Sequence, residues 1–279
     1  MTETAFYAIA AGIFGLLIGS FLNVCIYRWT RDLSVVKPRS ACPECNHMIA
    51  WYDNVPILSF FLLKGRCRQC KTPIPWTYPA VELLTALFFA WFVAIEGPNV
   101  AAAKDCLFAA IMIGLIFSDL DTRLLPDEFT IGGMFAGFAF ALFVPLPPTI
   151  FAILSELTGM RLSLRVTSLG EAVVGALIPA GAMWLLGWIF EKTRHKEYLG
   201  FGDVKMIAMM GAFLGIGGCI VTLLFGSLFG SIGGYAFMKL TRKDPATYYL
   251  PFATFLGAAA LIVVAAHGGI TGWYQQLLR

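Results

Sequence analysis

The sequence predicts an all-α polytopic membrane protein of about eight transmembrane helices, with one small soluble insertion after the first helix. Three observations carry that expectation. Of the 279 residues, 58% are hydrophobic and only 13% are charged, and the mean hydropathy is +0.76. A soluble domain carries about 25% charge and about 45–50% apolar residues. Apolar runs close to the ~20 residues that a bilayer requires recur along almost the whole chain. The polar residues are pooled between those runs rather than spread through them. A formal net charge of +3 is too small to argue for nucleic acid, and that class of partner is set aside.

The first run covers residues 5–27. Its only early charge is Glu3, and no basic segment precedes it, so it does not read as a cleaved signal. Arg28 and Arg31 follow it, which makes residues 1–27 a retained first helix with its N-terminus outside. Residues 28–78 form the insertion. The remaining runs lie at 79–97, 101–118, 130–147, 169–190, 204–217, 219–238 and 250–266, a seven-helix membrane domain within 79–279. The pair Gly217-Gly218 reads as a turn or a kink. With this count, sixteen of the 20 Lys and Arg residues fall on the side of the insertion, leaving Lys104, Arg161, Arg165 and Arg279 opposite. The positive-inside rule then places the insertion in the cytoplasm. Between the fourth and fifth runs, Ile150, Leu154 and Leu157 suggest either an amphipathic stripe in the membrane interface or an ordinary loop.

The insertion contains CPEC (Cys42, Cys45) and CRQC (Cys67, Cys70), with 21 residues between the two motifs. Two Cys-x-x-Cys knuckles at such a separation predict a tetrahedral zinc site of four thiolates. Disulfides are the competing account, and a reducing cytoplasm disfavours them. His47 is a spare donor, read as surface because four thiolates already fill the shell. A segment of about 50 residues cannot bury enough apolar area to fold unaided, so the metal is expected to be structural. Cys25, Cys106 and Cys219 stand alone in apolar runs and read as packing residues.

Asp203 lies in GFGDVKM, at the head of an otherwise apolar run. Its counterpart is Asp119, in SDLDTRLLPDEF at the end of the third run. Counting crossings puts both on the cytoplasmic side, although they are 84 residues apart in the chain. Two carboxylates brought close in a poorly solvated site cannot both ionise cheaply and share one proton. The ionised member then takes a proton from water while the neutral one donates to a carbonyl oxygen, which is the chemistry of an aspartic protease. Asp203 sits at a helix start, where the dipole favours its anion. Gly200 and Gly202 read as a turn able to reach positive φ and to admit a close backbone. Lys205 either tunes Asp203 or reaches to the lipid headgroups. Asp121, Asp127 and Glu128 rival Asp119: Asp121 is placed to pair with Arg123, Asp127 to sit in the first turn of the fourth helix, and Glu128 in solvent.

At this point the chain resembles the bifunctional type IV prepilin leader peptidases, which also N-methylate their product. The likeness rests on GSFLNVCIYR (19–28), CPEC and CRQC, YPAVELLT (78–85), DLDTRLLPD (119–127) and GFGDVK (200–205), in that order. The resemblance implies that Asp119 and Asp203 are the catalytic pair of a GxGD-type intramembrane aspartic protease. It implies prepilins and pseudopilins as substrates, cut after a glycine at the cytoplasmic face of the bacterial inner membrane. It also implies S-adenosylmethionine as methyl donor to the new N-terminal residue. No glycine-rich nucleotide fingerprint accompanies that second activity. Glu82, Asn23 and Arg28 are its candidate residues. Alternatively Glu82 is a helix-start acid, and Asn23 and Arg28 satisfy helix-end carbonyls and lipid phosphates. Residues 148–168 look longer than the corresponding family connection.

Two other classes of function fit parts of the pattern: a proton-coupled transporter using the buried acids, and a noncatalytic assembly module docking through the zinc knuckle. The specific pilin, the pathway served and the oligomeric state are not encoded in a readable way.

Overall fold

The computed structural model describes residues 2–159, 162–194, 200–241 and 251–266. Among these the chain is helical apart from loops and two isolated β-bridges. Five helices are long and apolar enough to cross a membrane: α1 (Glu3–Trp29), α3 (Thr77–Glu96), α4 (Val100–Thr122), and most of α7 (Leu164–Arg194) and α8 (Phe201–Thr241). Two shorter apolar helices join them, α5 (Asp127–Ala141) and α9 (Phe252–Ala265). The fourth run ends earlier than its hydrophobicity suggests because Pro145, Pro147 and Pro148 follow α5 and cannot continue a helix.

The contacts divide the chain into two compact units, Met1–Thr122 and Arg123–Arg279. In the first, α1 and α3 pack along a glycine seam. A Cβ on Gly15 would fall 2.7 Å from Cα of Ala86, and one on Gly19 2.6 Å from Cα of Glu82. Small residues four apart let helix backbones meet closely where lipid supplies no hydrophobic drive. α4 packs on α3 and α1. Arg31, just past α1, is ion-paired with Asp121 at 3.0 Å, so the ends of α1 and α4 share one end of this unit with the insertion. Asp121 therefore pairs with Arg31, because α1 brings its terminal arginine alongside.

In the second unit, the two glycine-rich runs at 204–217 and 219–238 belong to one helical element interrupted at a single residue. The break is at Gly215, not at Gly217-Gly218. Gly215 has φ 69° and ψ −179°, a region open only to glycine. Cys219 Sγ lies 3.7 Å from the carbonyl oxygen of Ile207. Twelve residues of straight helix span about 18 Å, so the two arms fold back on each other at this break. The first arm packs on α7 through Gly175 and Gly211, which have no room between them.

The connection after α5 is an ordered polar clamp. Ser168 Oγ donates to the Ala141 carbonyl at 2.7 Å and accepts from Leu146 N at 3.0 Å. Buried Glu171 Oε1 accepts from Thr149 N at 2.5 Å and Phe151 N at 2.8 Å, holding the start of α6 (Ile150–Thr158). Leu154 and Leu157 are exposed along α6, which resolves the expectation for this connection in favour of an amphipathic helix.

Candidate active site and metal centre

Asp119 lies in the last turn of α4 and is buried, 6% exposed. It stands three residues before the point where the first unit ends. Asp203 is half-buried in the first turn of α8, with its own N–H on the Gly200 carbonyl at 3.0 Å. Lys205, one residue beyond its neighbour, donates to Asp127 Oδ1. This ion pair ties the start of α8 to the start of α5, so Asp203 lies at the end of its unit where the chain enters from residue 123. The partner of Lys205 in the fold is thus the first-turn carboxylate of α5.

The two glycines of GFGD also act differently from the expectation. Neither is among the glycines with positive φ. Gly202 is a helical residue whose missing Cβ leaves space for Leu125, 3.3 Å from where that atom would sit, and Gly200 faces the Asp203 carboxylate at 3.5 Å. At Gly202 the close approach of Leu125 favours glycine, whereas a Cβ at Gly200 would meet only ordinary contact.

The four cysteines come together. Their sulfurs all lie within 4.8 Å of one another, and Cys42 and Cys70 are 3.7 Å apart. A tetrahedral zinc site with Zn–S near 2.3 Å sets its sulfurs about 3.8 Å apart, so the donor set fits that ion. Both knuckles use the same local geometry. Cys42 N bonds His47 O, and Cys67 N bonds Thr72 O. Asn46 and Lys71, each just after a second cysteine, take positive φ of 54° and 61°. Cys70 Sγ donates to the Thr72 hydroxyl at 3.3 Å, which fixes its place in the cluster. His47 is exposed and is not in the cluster. Arg68 grips Asp53 with two hydrogen bonds of 2.7 and 2.6 Å, fastening the second knuckle to the 3₁₀ turn Trp51–Asn54.

The three residues proposed for methyl transfer prove to be the joints between the helices and the insertion. Glu82 is buried, with Oε2 accepting from Ile57 N at 2.7 Å. Ile57 holds φ 60° there, a costly conformation for a β-branched residue. Asn23 Nδ2 donates to the Tyr78 carbonyl at 3.0 Å. Arg28 donates to the carbonyls of Ser34 and Pro38, each at 2.7 Å, so it satisfies loop carbonyls rather than those of a helix end. Sequence reasoning missed the Asp127–Lys205 partnership. The clue was available: a lysine beside an acid at a helix head attracts a counter-charge, and Asp127 opens α5.

A family model described as "Bacterial Peptidase A24 N-terminal domain" matches residues 13–95, and one described as "Type IV leader peptidase family" matches residues 106–235. The chain belongs to the type IV leader peptidase family. Among its relatives, a prepilin leader peptidase/N-methyltransferase of Aeromonas hydrophila is 34% identical, covering 94% of this chain and 91% of that protein. One from Myxococcus xanthus is 36% identical over 86% of this chain and 66% of its own. One from Pseudomonas putida is 31% identical over 99% and 96%. No solved structure matches the chain. The leader peptidase match contains both Asp119 and Asp203, and the N-terminal match contains all four cysteines with Asn23, Arg28 and Glu82.

Proposed function

We propose that this chain is an inner-membrane aspartic endopeptidase that removes the leader of type IV prepilins and pseudopilins and then N-methylates the new N-terminus. The observation that carries it is the leader peptidase match, which spans both aspartates in a chain whose relatives bear the double name. Asp119 and Asp203 are the catalytic pair, sharing one proton. The ionised carboxylate deprotonates a water, the neutral one protonates the scissile carbonyl oxygen, and the tetrahedral intermediate collapses as the amine leaves with a proton. Gly202 gives Leu125 room at the head of α8, with Gly200 beside the Asp203 carboxylate, and the Lys205–Asp127 pair fixes that helix head.

Zinc in the four-cysteine cluster is structural and takes no part in either reaction. S-adenosylmethionine, when bound, supplies a methyl group to the freed α-amine. Glu82, Asn23 and Arg28 support that activity by positioning the insertion, not by touching substrate. The N-terminus lies outside, and residues 28–78 lie in the cytoplasm among lipid headgroups.

The test is mass spectrometry of a prepilin incubated with reconstituted enzyme and S-adenosylmethionine. The expected product has lost its leader and gained one CH₂ at the new N-terminus. Asp119→Asn and Asp203→Asn proteins should insert normally and leave the prepilin intact. Normal cleavage by either variant removes the aspartate assignment.

A further inference from the structure

We infer that residues 51–62 of the insertion form a re-entrant wedge that dips into the bilayer beside α1 and α3, with its outer face against lipid acyl chains. The wedge lies deeper than the headgroup level assigned to the insertion as a whole. As a helix, the apolar run at 5–27 is about 34 Å long, against a hydrocarbon core of about 30 Å. Leu17 to Val24 therefore lie within that core. A cleft of about 440 Å³ lies between this stretch and the insertion. Its walls carry Leu17, Phe21 and Val24 from α1, and Trp51, Asn54 and Pro56 from the insertion. Residues 51–56 thus run alongside the membrane-spanning part of α1, not above its end. A second contact gives the same level. Ile57 N donates to Glu82, and Glu82 is packed against Gly19, which lies about 12 Å inside the end of the run at Tyr27. Helical side chains lean toward the helix start, but Glu82 still keeps Ile57 below that end.

Irregular backbone is tolerated at this depth only where protein satisfies its polar groups, and here it does. Val55 N donates to Ser59 Oγ at 3.1 Å, and Ile57 N to Glu82 Oε2 at 2.7 Å. Leu58 N, Ser59 N and Phe61 N donate to the carbonyls of Pro56, Val55 and Ile57. Pro56 has no N–H to satisfy. Ser59 is buried, and its hydroxyl donates in turn to the Tyr52 carbonyl at 3.0 Å. A loop at the water surface needs no side chains for this task, because water completes its hydrogen bonds.

The outer face is apolar and continuous with the span beside it. Residues 54–63 carry no charge, and Asp53 and Lys64 bracket them. Trp51 is more than half exposed, as are Leu58, Phe61 and Leu62 of α2 (Leu58–Leu62). Phe14, Leu17 and Phe21 of α1 are exposed to a similar degree. Exposed Trp76 packs on Phe60, with ring centroids 4.7 Å apart, one residue before α3 begins. That is the level at which tryptophans mark a membrane interface. Lys64 and Arg66 line a second cleft beside Phe60 and Trp76, so charge returns where the chain climbs back to the headgroups. This continuity with the surface of α1 selects acyl chains as the occupant of the face.

Tryptophan fluorescence of the full-length protein in phosphatidylcholine vesicles tests the wedge. Lipid brominated in mid-chain quenches indoles in hydrocarbon, and aqueous iodide quenches those in water. The difference between the parent and Trp51→Phe isolates the Trp51 signal. That signal should be quenched at least about twofold more by bromolipid than by iodide. Trp184→Phe calibrates it, since Trp184 lies mid-way along α7 and is half exposed. Leu62→Asp puts a charge on the same face and should cut the bromolipid quenching of Trp51 by about half or more. Leu62→Phe should leave it unchanged. Zinc content and thermal unfolding report whether each variant is folded, and the Trp51→Phe comparison decides the matter if Leu62→Asp is not. Preferential quenching by iodide overturns the wedge and returns residues 51–62 to water. A Trp51 signal reached by neither quencher overturns it too, by showing that a protein partner or a second copy of the chain covers the face. Either result leaves both proposed activities untouched, because the wedge requires only that the chain span a membrane.

Discussion

Lys205 and Asp127 are 78 residues apart in the chain and meet at the heads of two helices. The pair is partly exposed, with side-chain exposures of 25% and 56%, and such pairs contribute about 0–1 kcal/mol to stability. Its importance lies in where the ammonium is kept. Lys205 follows Asp203 by two residues, on another face of the helix, yet an ammonium released from Asp127 stays within a few ångströms' reach of that carboxylate's field and favours its anion. A carboxylate held so cannot share a proton with a partner. Asp127→Asn is therefore expected to lower leader cleavage about tenfold, equivalent to about 1.4 kcal/mol of barrier, while shifting the unfolding midpoint by only a few degrees. Adding Lys205→Gln should recover part of the activity, which a double-mutant cycle measures. No recovery would mean that the pair acts on something other than Asp203. This partnership was hidden in the sequence because an acid after a proline at a helix start already has a sufficient local explanation. Asp119 and Asp203 stand out in the sequence for the opposite reason: a carboxylate at the edge of an apolar run has no local explanation.

Among the elements, helix existence was legible and helix packing was not. Apolar length alone located α1, α3, α4 and α7 to within a few residues, because the bilayer sets that length. The fold-back in α8 was misplaced by two residues, since a run containing Gly211, Gly215, Gly217 and Gly218 does not encode which glycine leaves helical dihedrals. Packing decides that. Gly211 faces Gly175 so closely that a Cβ there would lie 1.8 Å from the Gly175 carbonyl oxygen, a backbone atom that cannot rotate aside. Gly211→Ala must push α7 and α8 apart, and overpacking of this kind costs about 1–3 kcal/mol. Gly132→Ala is the matched control, with nothing within 4 Å of the added carbon. It should be neutral or slightly stabilising, because alanine favours helix over glycine by about 1 kcal/mol. Thermal unfolding in detergent reads both. Equal midpoints for the two variants would mean that the glycine seam is looser than its geometry.

For the whole molecule, the division at Thr122 falls inside the leader peptidase match, leaving Asp119 in the first unit and Asp203 in the second, and the insertion is the part that buries least. Its side chains bury little: of its cysteines only Cys42 is buried, and Trp51, Phe61, Leu62 and Trp76 are more than half exposed. The four thiols were readable from spacing alone because metal geometry constrains spacing tightly. The anchors at Glu82, Arg28 and Arg68 were not, since each is a long-range bond to backbone or to a single acid that no local pattern announces. Metal and anchors together must hold these residues in place, and structural zinc contributes on the order of 10 kcal/mol to small sites. Stripping the metal with a chelator, or replacing Cys42 and Cys67 by serine, should release the insertion from its anchors. Atomic emission should find one zinc per chain before treatment and none after. Methyl transfer should then fall by at least an order of magnitude, about 1.4 kcal/mol or more, while leader cleavage falls by less. Undiminished methyl transfer by the metal-free protein would show that the insertion holds its shape without zinc. Equal loss of both activities would mean that the insertion also serves the aspartates, through the α1–α4 end where Arg31 meets Asp121.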